Sequence, residues 1–232
     1  MRTLIIIPAH NEMSNIQSVV NDLQRVLACK MIDYLIIDDG SSDRTLQVCR
    51  ENNYHILSIP LNLGLAGAFQ TGMKYALYNN FTYAIQFDGD GQHNAAYIPP
   101  MIAAADLGEN DIVIGSRYLK EKKPFSVRML GSRLITICIR ITTGRTIKDP
   151  TSGMRLYNKR AIQRFASDTN LPPEPDAIAY LLRCGYKVVE IPVKMNERGS
   201  GESYLGAMNS IRYMFRVCSS ILLAQWFRWK VK

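Results

Sequence analysis

Two aspartates one residue apart, Asp88 and Asp90, follow a short apolar run and lie among glycines. The run at residues 83–87 has the composition of a buried strand, so the aspartates are expected at its end. Side chains at positions i and i+2 of an extended backbone point the same way. Two such carboxylates can bind one hard cation, Mg²⁺ or Mn²⁺, with positions left for phosphate oxygens. An acidic turn without a ligand is the alternative, because Asp and Gly are good turn formers.

Three more polar clusters, at residues 8–12, 38–43 and 115–118, each follow a predicted strand. The strands are apolar without alternation, which indicates burial on both faces in a parallel sheet. In open parallel sheets, ligands bind beyond the carboxyl ends of the strands. We therefore expect one binding site at the sheet edge where these clusters meet.

Strands and helices alternate through the first half of the chain. Predicted strands lie at 4–7, 34–37, 54–59, 83–87 and 111–115, and predicted helices at 15–27, 45–52, 68–78 and 99–105. Ser14 is the expected N-cap of the first helix. In the second half, residues 127–143 are apolar but contain arginines, 149–153 predict a turn, 176–184 a helix and 187–193 a strand. This order predicts an α/β fold with a mostly parallel sheet and helices on both faces.

The composition is that of an ordinary globular domain. The chain has 232 residues, 47% of them hydrophobic and 21% charged, which suits one sizeable α/β domain. Its five cysteines are scattered and form no CxxC pair, so neither a disulfide framework nor a zinc site is predicted. The first apolar run, residues 4–7, is too short for a signal peptide. We therefore predict a cytoplasmic protein.

Charge is divided unevenly between the two halves. Residues 1–114 contain 6 Lys and Arg against 12 Asp and Glu, whereas residues 115–232 contain 22 against 8. This asymmetry predicts a basic surface that meets an anionic partner, such as nucleic acid, membrane phospholipid or a phosphorylated acceptor. Nucleic acid fits worst, because few aromatic residues are interleaved with the basic ones and no nucleic-acid motif is present.

The segment 205–232 contains no acidic residue and repeats apolar side chains at helical spacing. These are Met208, Ile211, Phe215, Cys218, Leu222, Trp226 and Trp229. The longest uncharged apolar stretch, residues 217–227, is too short to cross a bilayer, but a basic amphipathic helix can lie in a membrane interface. Packing on the core, or on a second subunit in a homo-oligomer, is the alternative. We treat 205–232 as a helical tail of the domain at 1–204.

These motifs together resemble the inverting glycosyltransferases of family 2, which have the Rossmann-like GT-A fold. The resemblance is carried by Ile-Pro-Ala-His-Asn-Glu at 7–12, Asp-Asp-Gly-Ser-Ser-Asp at 38–43, Asn-Leu-Gly at 62–64 and Asp-Gly-Asp-Gly-Gln at 88–92. Gly-Ser-Arg-Tyr at 115–118, Asp-Pro-Thr-Ser-Gly-Met-Arg at 149–155 and Arg-Gly-Ser-Gly-Glu-Ser at 198–203 are similar to the branch that makes dolichyl-phosphate and polyprenyl-phosphate sugars.

The resemblance implies a pocket for the nucleoside of a nucleotide sugar. Pro8, His10 and Glu12 would line this pocket, although the family often has Tyr where this chain has His10. Asp39 would bind the base or the ribose.

The resemblance also implies how the diphosphate of the donor is held. Asp88 and Asp90 would bind Mg²⁺ or Mn²⁺ on the diphosphate, with Gln92 beside them. Gly89 stands where the family commonly has Ala or another small residue. Arg198 would reach the diphosphate from a mobile loop and assist its departure.

An acceptor site follows from the same resemblance. Arg117, Arg128 and Ser132 match positions that hold an acceptor phosphate. Glu174 and Asp176 fall where the family keeps a carboxylate before its acceptor-side helix. Arginine pairs bind phosphate through bidentate hydrogen bonds, which suits this assignment.

The resulting hypothesis is metal-dependent transfer of a sugar from a UDP- or GDP-sugar to polyprenyl phosphate at the cytoplasmic membrane face. A phosphate acceptor, with a second pKa of about 6, is largely ionised and needs no strong base. A saccharide hydroxyl acceptor, as in cell-wall or capsule polysaccharide assembly, would need a carboxylate base, for which Asp149 is the leading candidate. A catalytically silent nucleotide-sugar-binding subunit is the third hypothesis, and the intact acidic and arginine motifs argue against it.

Overall fold

The computed structural model describes residues 1–28, 31–120, 123, 126–196 and 207–224, without the side chains of 127, 128, 207–211 and 224. The strands in these ranges are β1 (Thr3–Ala9), β2 (Ile32–Asp39), β3 (Ile56–Ile59), β4 (Tyr83–Gln86), β5 (Ile112–Ser116), β6 (Arg155–Asn158) and β7 (Val188–Pro192). The helices are α1 (Ile16–Leu27), α2 (Thr45–Glu51), α3 (Gly64–Tyr78), α4 (Ile98–Gly108), α5 (Val127–Thr143), α6 (Lys159–Ser167), α7 (Pro175–Arg183) and α8 (Ala207–Ser219). A 3₁₀ turn (Ala95–Tyr97) precedes α4, and a π-helical turn (Ser220–Ala224) continues α8.

The strands form a single sheet in the order β3-β2-β1-β4-β6-β5-β7. β1 pairs in parallel with both β2 and β4, so that Ile5 lies opposite Tyr34 on one side and Ile85 on the other. The pairs β2–β3 and β5–β7 are also parallel, and only β6 runs antiparallel to its two neighbours among these strands. The prediction of a mostly parallel α/β sheet is therefore confirmed.

Helices cover both faces of the sheet, as the alternation along β1 illustrates. Leu4 and Ile6 point into a core shared with α3, α5, α6 and α7, whereas Ile5 and Ile7 point into a second core with α1 and α4. All four side chains are fully buried, and each such burial stabilises the fold by roughly 1.5–3 kcal/mol. The central strands are thus a rigid platform whose carboxyl ends carry the polar loops.

The sequence patterns did not predict β6 or α6. β6 has four residues and begins with Arg155, a buried arginine that gives no apolar strand signal. The side chain of Asn158 then accepts a hydrogen bond from the backbone N–H of Ala161 at 3.0 Å, and this N-cap starts α6. β6 enters the sheet between β4 and β5, which brings the turn before it against the end of β4.

Two predicted helix starts need correction. Asn15, not Ser14, is at the N-cap position of α1, and its side chain makes no capping hydrogen bond; its Nδ2 donates to Glu12 Oε2 at 2.7 Å instead. α3 begins at Gly64, four residues before the predicted start. Gly64 has φ +72°, which glycine adopts without strain. The Asn-Leu-Gly motif therefore forms the N-terminus of a helix rather than a separate loop.

The tail helix is present as α8, and of the predicted apolar stripe Cys218 packs against the core whereas Phe215 and Leu222 do not. Val217 and Ile221 are buried, whereas Phe215 is 77% exposed and Leu222 is 40% exposed. α8 packs closely against α5 at Gly131, where a Cβ would overlap the Met214 side chain. Trp226 and Trp229 of the predicted stripe lie outside the described residues. In the described part of the tail, large apolar side chains remain in solvent.

Candidate active site

A pocket of about 460 Å³ lies at the carboxyl ends of β1 and β2, beside the N-terminus of α3. It is lined by Pro8, Ala9, His10, Glu12, Asp39, Asn62, Gly64, Leu65 and Ala68. The structure thus brings together all four residues that were predicted for the nucleoside. Asn62, Leu65 and Ala68 were not assigned to the pocket beforehand. The Asn-Leu-Gly motif could have indicated them, because it lies at the start of α3 and the first turns of this helix line the pocket.

His10 and Asp39 are held in fixed orientations at this pocket. The backbone N–H of Leu63 donates to Asp39 Oδ1 at 2.8 Å, and Asp39 is almost fully buried. His10 Nδ1 lies 2.9 Å from the carbonyl oxygen of Asp39, which can only accept, so Nδ1 carries the proton. Nε2 of His10 is then the acceptor for the amide of Asn62 at 3.1 Å. These contacts fix the orientation of the His10 ring against the backbone of Asp39.

The preceding residue, Asp38, holds the loop after β2 in place. Its carboxylate is buried and accepts hydrogen bonds from the backbone N–H of Ser41 at 3.3 Å and from Ser58 Oγ at 2.9 Å. These contacts tie the loop after β2 to β3. Asp38 consequently orients the loop that carries Asp39.

The turn at residues 88–90 packs between the pocket and a second loop. A Cβ at Gly89 would lie 3.0 Å from the carbonyl oxygen of Pro8 and 3.5 Å from Glu12 Cγ, so this residue adjoins the pocket lining. A Cβ at Gly153 would lie 2.5 Å from Asp88 Oδ2. The loop before β6 is thus in direct contact with the carboxylate of Asp88, and a glycine is needed at the point of contact.

The donor set of this turn fits a hard divalent cation. Asp88 is partly exposed and accepts from Gln86 Nε2 at 3.3 Å, and Asp90 Oδ1 accepts from the backbone N–H of Gln92 at 3.0 Å. No three His, Cys, Asp or Glu side chains of the described residues cluster into a metal cage. Mg²⁺ is usually bound by one or two carboxylates together with substrate phosphates. Asp88 and Asp90 are the residues that would hold such an ion.

Arg117 and Asp149 form a bidentate ion pair at the end of β5. Arg117 Nε donates to Asp149 Oδ2 at 2.7 Å, Nη2 donates to Oδ1 at 2.8 Å, and the Arg117 backbone N–H also donates to Oδ2. Burial would by itself raise the pKa of Asp149, but the hydrogen bonds and charge of Arg117 outweigh it and hold this pKa below its usual value. Burial likewise opposes the charge of Arg117, and Asp149 raises the pKa of the guanidinium in return.

This ion pair argues against Asp149 as a general base. The side chain is 0% exposed, and both of its oxygens are occupied by Arg117. A base must reach the proton that it removes and must have an affinity for it near the working pH. The geometry instead makes Asp149 the residue that orients Arg117. Glu190 in turn holds the backbone of this segment, because its carboxylate accepts hydrogen bonds from the N–H groups of Lys148 and Asp149 at 2.7 Å each.

Lys123 joins Arg117 and Ser132 in a cation cluster that the sequence did not reveal. Lys123 Nζ donates to Ser132 Oγ at 2.7 Å, and Ser132 is buried in α5. The Lys123 ammonium and the Arg117 guanidinium lie 5.7 Å and 5.3 Å from the ring centre of Tyr118. Partial burial lowers the pKa of Lys123. Lys123 occurs in Lys-Glu-Lys-Lys-Pro, which is typical of an exposed loop, so no pattern distinguished it.

Arg155 is a second residue that sequence reasoning left without a role. Its guanidinium is buried and donates to three backbone carbonyls, those of Ser152, Pro150 and Pro173, at 2.8–3.0 Å. Arg155 therefore clamps the loop before β6 to the segment before α7. This clamp determines where Asp149 and Gly153 lie in the site.

Glu174 and Asp176 connect α7 to the tail. Arg216 Nη2 donates to both carboxylate oxygens of Glu174 at 2.8 and 3.0 Å, and Ser220 Oγ donates to Asp176 Oδ2 at 2.7 Å. Burial raises the pKa of Glu174, and the charge of Arg216 partly offsets this rise. These contacts give both carboxylates a role in attaching α8, which differs from the predicted contact of Glu174 with the acceptor.

Two predicted site residues fall outside the described side chains. Arg198 lies in the range 197–206, and Arg128 contributes only its backbone to the first turn of α5. Their roles stay predictions. Of the helices that the structure describes, none is both long and apolar enough to cross a membrane.

Among curated proteins, the chain is similar to enzymes that are named for the transfer of mannose to polyprenyl lipids. It is 28% identical over 230 residues to the polyprenol monophosphomannose synthase of Mycolicibacterium smegmatis, covering 93% of this chain and 85% of that protein. It is 30% identical to the undecaprenyl-phosphate mannosyltransferase of Micrococcus luteus, covering 88% and 87%. It is also 30% identical to the dolichol-phosphate mannosyltransferase of Pyrococcus furiosus, covering 92% of this chain and 62% of that longer protein.

Solved structures share the fold. Glucosyl-3-phosphoglycerate synthase from Mycobacterium tuberculosis, in complex with Mn²⁺, uridine diphosphate and phosphoglyceric acid, superposes with a TM-score of 0.69 over 97% of this chain and 78% of that chain. Its sequence identity of 17% supports the fold alone. Residues 4–165, well over half of the chain, match the family described as Glycosyl transferase family 2. The chain therefore belongs to glycosyl transferase family 2 and is a glycosyltransferase with a GT-A fold.

Proposed function

We propose that this enzyme transfers a sugar from a UDP- or GDP-sugar to polyprenyl phosphate, with Mg²⁺ or Mn²⁺ bound at Asp88 and Asp90. The observation that carries this proposal is the location of Asp88. On one side the turn at 88–90 contacts the pocket lining at Pro8 and Glu12, and on the other side Asp88 contacts Gly153. The loop that holds Gly153 also carries Asp149, whose carboxylate binds Arg117. A diphosphate at Asp88 would therefore lie between a nucleoside pocket and a cation cluster.

The donor is held by residues of the first half of the chain. The pocket residues Pro8, His10, Glu12 and Asp39 bind the nucleoside, and the buried carboxylate of Asp39 accepts an N–H of the base or a hydroxyl of the ribose. A divalent ion, when bound at Asp88 and Asp90 with Gln92 beside them, neutralises charge on the departing diphosphate. Arg198 is proposed to add a second positive charge there.

The acceptor phosphate is proposed to bind at Arg117, Lys123 and Ser132, with Arg128 nearby. The named contacts of Arg117 with Asp149 use Nε and Nη2, which leaves Nη1 as the donor that we assign to the phosphate. An acceptor phosphate oxygen attacks the anomeric carbon and forms the new C–O bond. The bond from that carbon to the nucleoside diphosphate breaks, and the diphosphate leaves with the electron pair. The configuration at the carbon inverts.

The same arrangement supports phosphate over a hydroxyl as the acceptor. A hydroxyl must lose its proton to a base, and the carboxylate predicted for that purpose, Asp149, is buried against Arg117. A phosphate is already largely ionised at neutral pH, and the cations bind it much more strongly than they would bind a neutral hydroxyl. The names of the three relatives, all mannosyl-transfer enzymes of polyprenyl lipids, support the same acceptor and make mannose the first sugar to test.

An exposed apolar stripe on α5 supports delivery of this acceptor from a membrane. Leu130, Leu134, Ile137 and Ile141 are between 46% and 72% exposed, and their spacing of four, three and four residues keeps them on one side of the helix. We group them with the exposed tail residues Phe215, Leu222 and Leu223 as the α5–α8 apolar surface, because α8 packs on α5. Arg133 and Arg140 of the same helix carry positive charge that favours anionic lipid. We propose that this surface lies in the headgroup layer at the cytoplasmic membrane face.

The proposal is tested by incubating the enzyme with a panel of radiolabelled UDP- and GDP-sugars and a short polyprenyl phosphate in the presence of Mn²⁺. We expect label from one donor to become extractable into organic solvent. The matched control is the same polyprenol without its phosphate, which should accept no sugar. Label found only in water-soluble oligosaccharide, or equal transfer to the unphosphorylated alcohol, would contradict the lipid-phosphate assignment.

A further inference from the structure

His93 is buried next to the metal-binding turn and has no part in the chemistry described above. Its ring is 4% exposed and packs edge-on against Phe87 with 5.3 Å between ring centres. The backbone N–H of Asp88 donates to His93 Nδ1 at 2.9 Å. A histidine chosen only for packing would not require this bond, since an aromatic hydrocarbon ring would fill the same space.

The hydrogen bond from Asp88 determines the tautomer of His93. Nδ1 accepts from an N–H, so Nδ1 carries no proton, and a neutral ring then carries its proton on Nε2. Nε2 lies 3.4 Å from Asp88 Oδ2. One ring therefore engages both the main chain and the carboxylate of the same aspartate, in the opposite tautomer to His10.

The remaining side of the carboxylate is closed by the loop before β6. A Cβ at Gly153 would lie 2.5 Å from Asp88 Oδ2 and 3.4 Å from His93 Cε1. The Asp88 oxygen thus sits between the imidazole edge and the Gly153 backbone, which restricts rotation of the side chain. The other oxygen, Asp88 Oδ1, accepts from Gln86 Nε2 at 3.3 Å.

We infer that His93 is a positioning residue that holds the Asp88 carboxylate in the orientation required to bind the divalent ion. The inference rests on the proposed function, because it takes Asp88 as a metal ligand. Groups that orient a metal-ligating carboxylate commonly change metal affinity on the order of 10- to 100-fold when they are removed. A packing role alone predicts lower stability with unchanged metal affinity.

The test compares Mn²⁺ affinity, by electron paramagnetic resonance of the free ion, in the presence of UDP and separately of GDP. His93→Phe keeps the ring but removes both nitrogen contacts, and we expect it to weaken Mn²⁺ binding about tenfold or more. His93→Gln can still direct an amide N–H at Asp88 Oδ2 and should lose less. His55→Phe changes an exposed histidine before β3 and should bind Mn²⁺ like the wild type. Gly153→Ala pushes on the same Asp88 oxygen from the other side and should also weaken binding.

The outcomes separate this inference from the proposed function. If Asp88→Asn weakens Mn²⁺ binding and His93→Phe does not, His93 is only a packing residue and the inference is overturned alone. If Asp88→Asn itself leaves Mn²⁺ affinity unchanged, the metal assignment fails and the inference fails with it. Should His93→Phe not fold, His93→Gln and Gly153→Ala carry the comparison. Independently of metal, ¹⁵N spectra of the imidazole should show Nε2 protonated and Nδ1 unprotonated, and the reverse pattern would overturn the geometry.

Discussion

The proposed donor side and the proposed acceptor side of the site are built in different ways. The donor side consists of loops that follow the parallel strands β1, β2 and β4, and its residues are held by backbone groups of neighbouring loops. The acceptor side depends on the antiparallel strand β6, and its central ion pair joins Arg117 to Asp149, 32 positions apart. Parallel βα units bring their polar loops to one edge by construction, whereas the cation cluster exists only if distant segments meet correctly.

The two sides also differ in how their charges are compensated. On the proposed donor side, Asp88 accepts a hydrogen bond from the neutral amide of Gln86, and Asp90 accepts one from the backbone N–H of Gln92. On the acceptor side, Arg117 is already matched by Asp149, which raises the pKa of Arg117 and lowers that of Asp149. We conclude that a buried carboxylate preorganises Arg117, the cation that we propose for the acceptor phosphate.

Removing a carboxylate that we propose as a metal ligand should have the largest effect on turnover, and the defect should be confined to the donor side. Asp88→Asn and Asp90→Asn should each reduce turnover by about 100-fold or more, since charge on the leaving diphosphate is then poorly neutralised. The control is Asp33→Asn, which should remain active. Asp33 is an exposed carboxylate that pairs with Arg2 at the other end of the sheet. Turnover is measured by transfer of labelled sugar, with circular dichroism to verify folding. Full activity in excess EDTA would contradict the metal assignment.

Asp149→Asn should lower the stability of the fold as well as weaken binding of the acceptor. It leaves a largely buried Arg117 without its counter-charge, and we expect the free energy of unfolding to fall by about 3 kcal/mol. The exposed pair Arg2–Asp33 should contribute at most about 1 kcal/mol when broken by Asp33→Asn. Denaturant titration measures both values. Unchanged stability together with abolished turnover would instead restore Asp149 as a base.

The same ion pair predicts a pH dependence. The pKa of Asp149 is lowered in the folded protein, so its stabilisation is fully present above the unfolded value of about 3.9 and is lost as the pH falls through the lower, folded pKa. The wild type should therefore lose stability on acidification below about pH 4 more steeply than Asp149→Asn. Equal acid profiles for the two proteins would show that the pair contributes nothing.

An intermediate effect is expected for the α5–α8 apolar surface. Ile137→Ser combined with Ile141→Ser should reduce binding to anionic liposomes by about tenfold or more, because burying each isoleucine contributes roughly 1.5–3 kcal/mol when complete. Leu107→Ser is the matched control, since Leu107 is 90% exposed on α4, over the opposite face of the sheet. Cosedimentation measures the partition. If the control and the double variant lost binding equally, the surface would not be the membrane contact.

The smallest effect is expected where the tail is attached. Arg216→Ala removes a partly exposed ion pair with Glu174 and should lower the free energy of unfolding by about 1 kcal/mol or less. Glu174→Gln should match it, and neither should greatly change the Michaelis constant for polyprenyl phosphate. A large rise in that constant for Glu174→Gln alone would return Glu174 to the acceptor site.

The central fold and the loops that line the pocket could be predicted because their signals are local. Uninterrupted apolar runs such as residues 4–7 indicate buried parallel strands, and polar residues directly after them must lie at the carboxyl edge. Pro8, His10, Glu12 and Asp39 accordingly line one pocket. β6 escaped prediction because a four-residue strand that begins with a buried arginine has no periodic pattern.

By itself, the sequence determined the α/β class, the edge of the sheet that carries the site, and four of the residues that line the pocket. Only the tertiary structure decided that Asp149 holds Arg117, that Lys123 joins Ser132, and that His93 faces Asp88. The physical reason is that a charged or polar side chain takes its role from its partner. Partners that lie 32 or 42 positions away, as for Arg117 with Asp149 and Glu174 with Arg216, come together only when the whole sheet has formed.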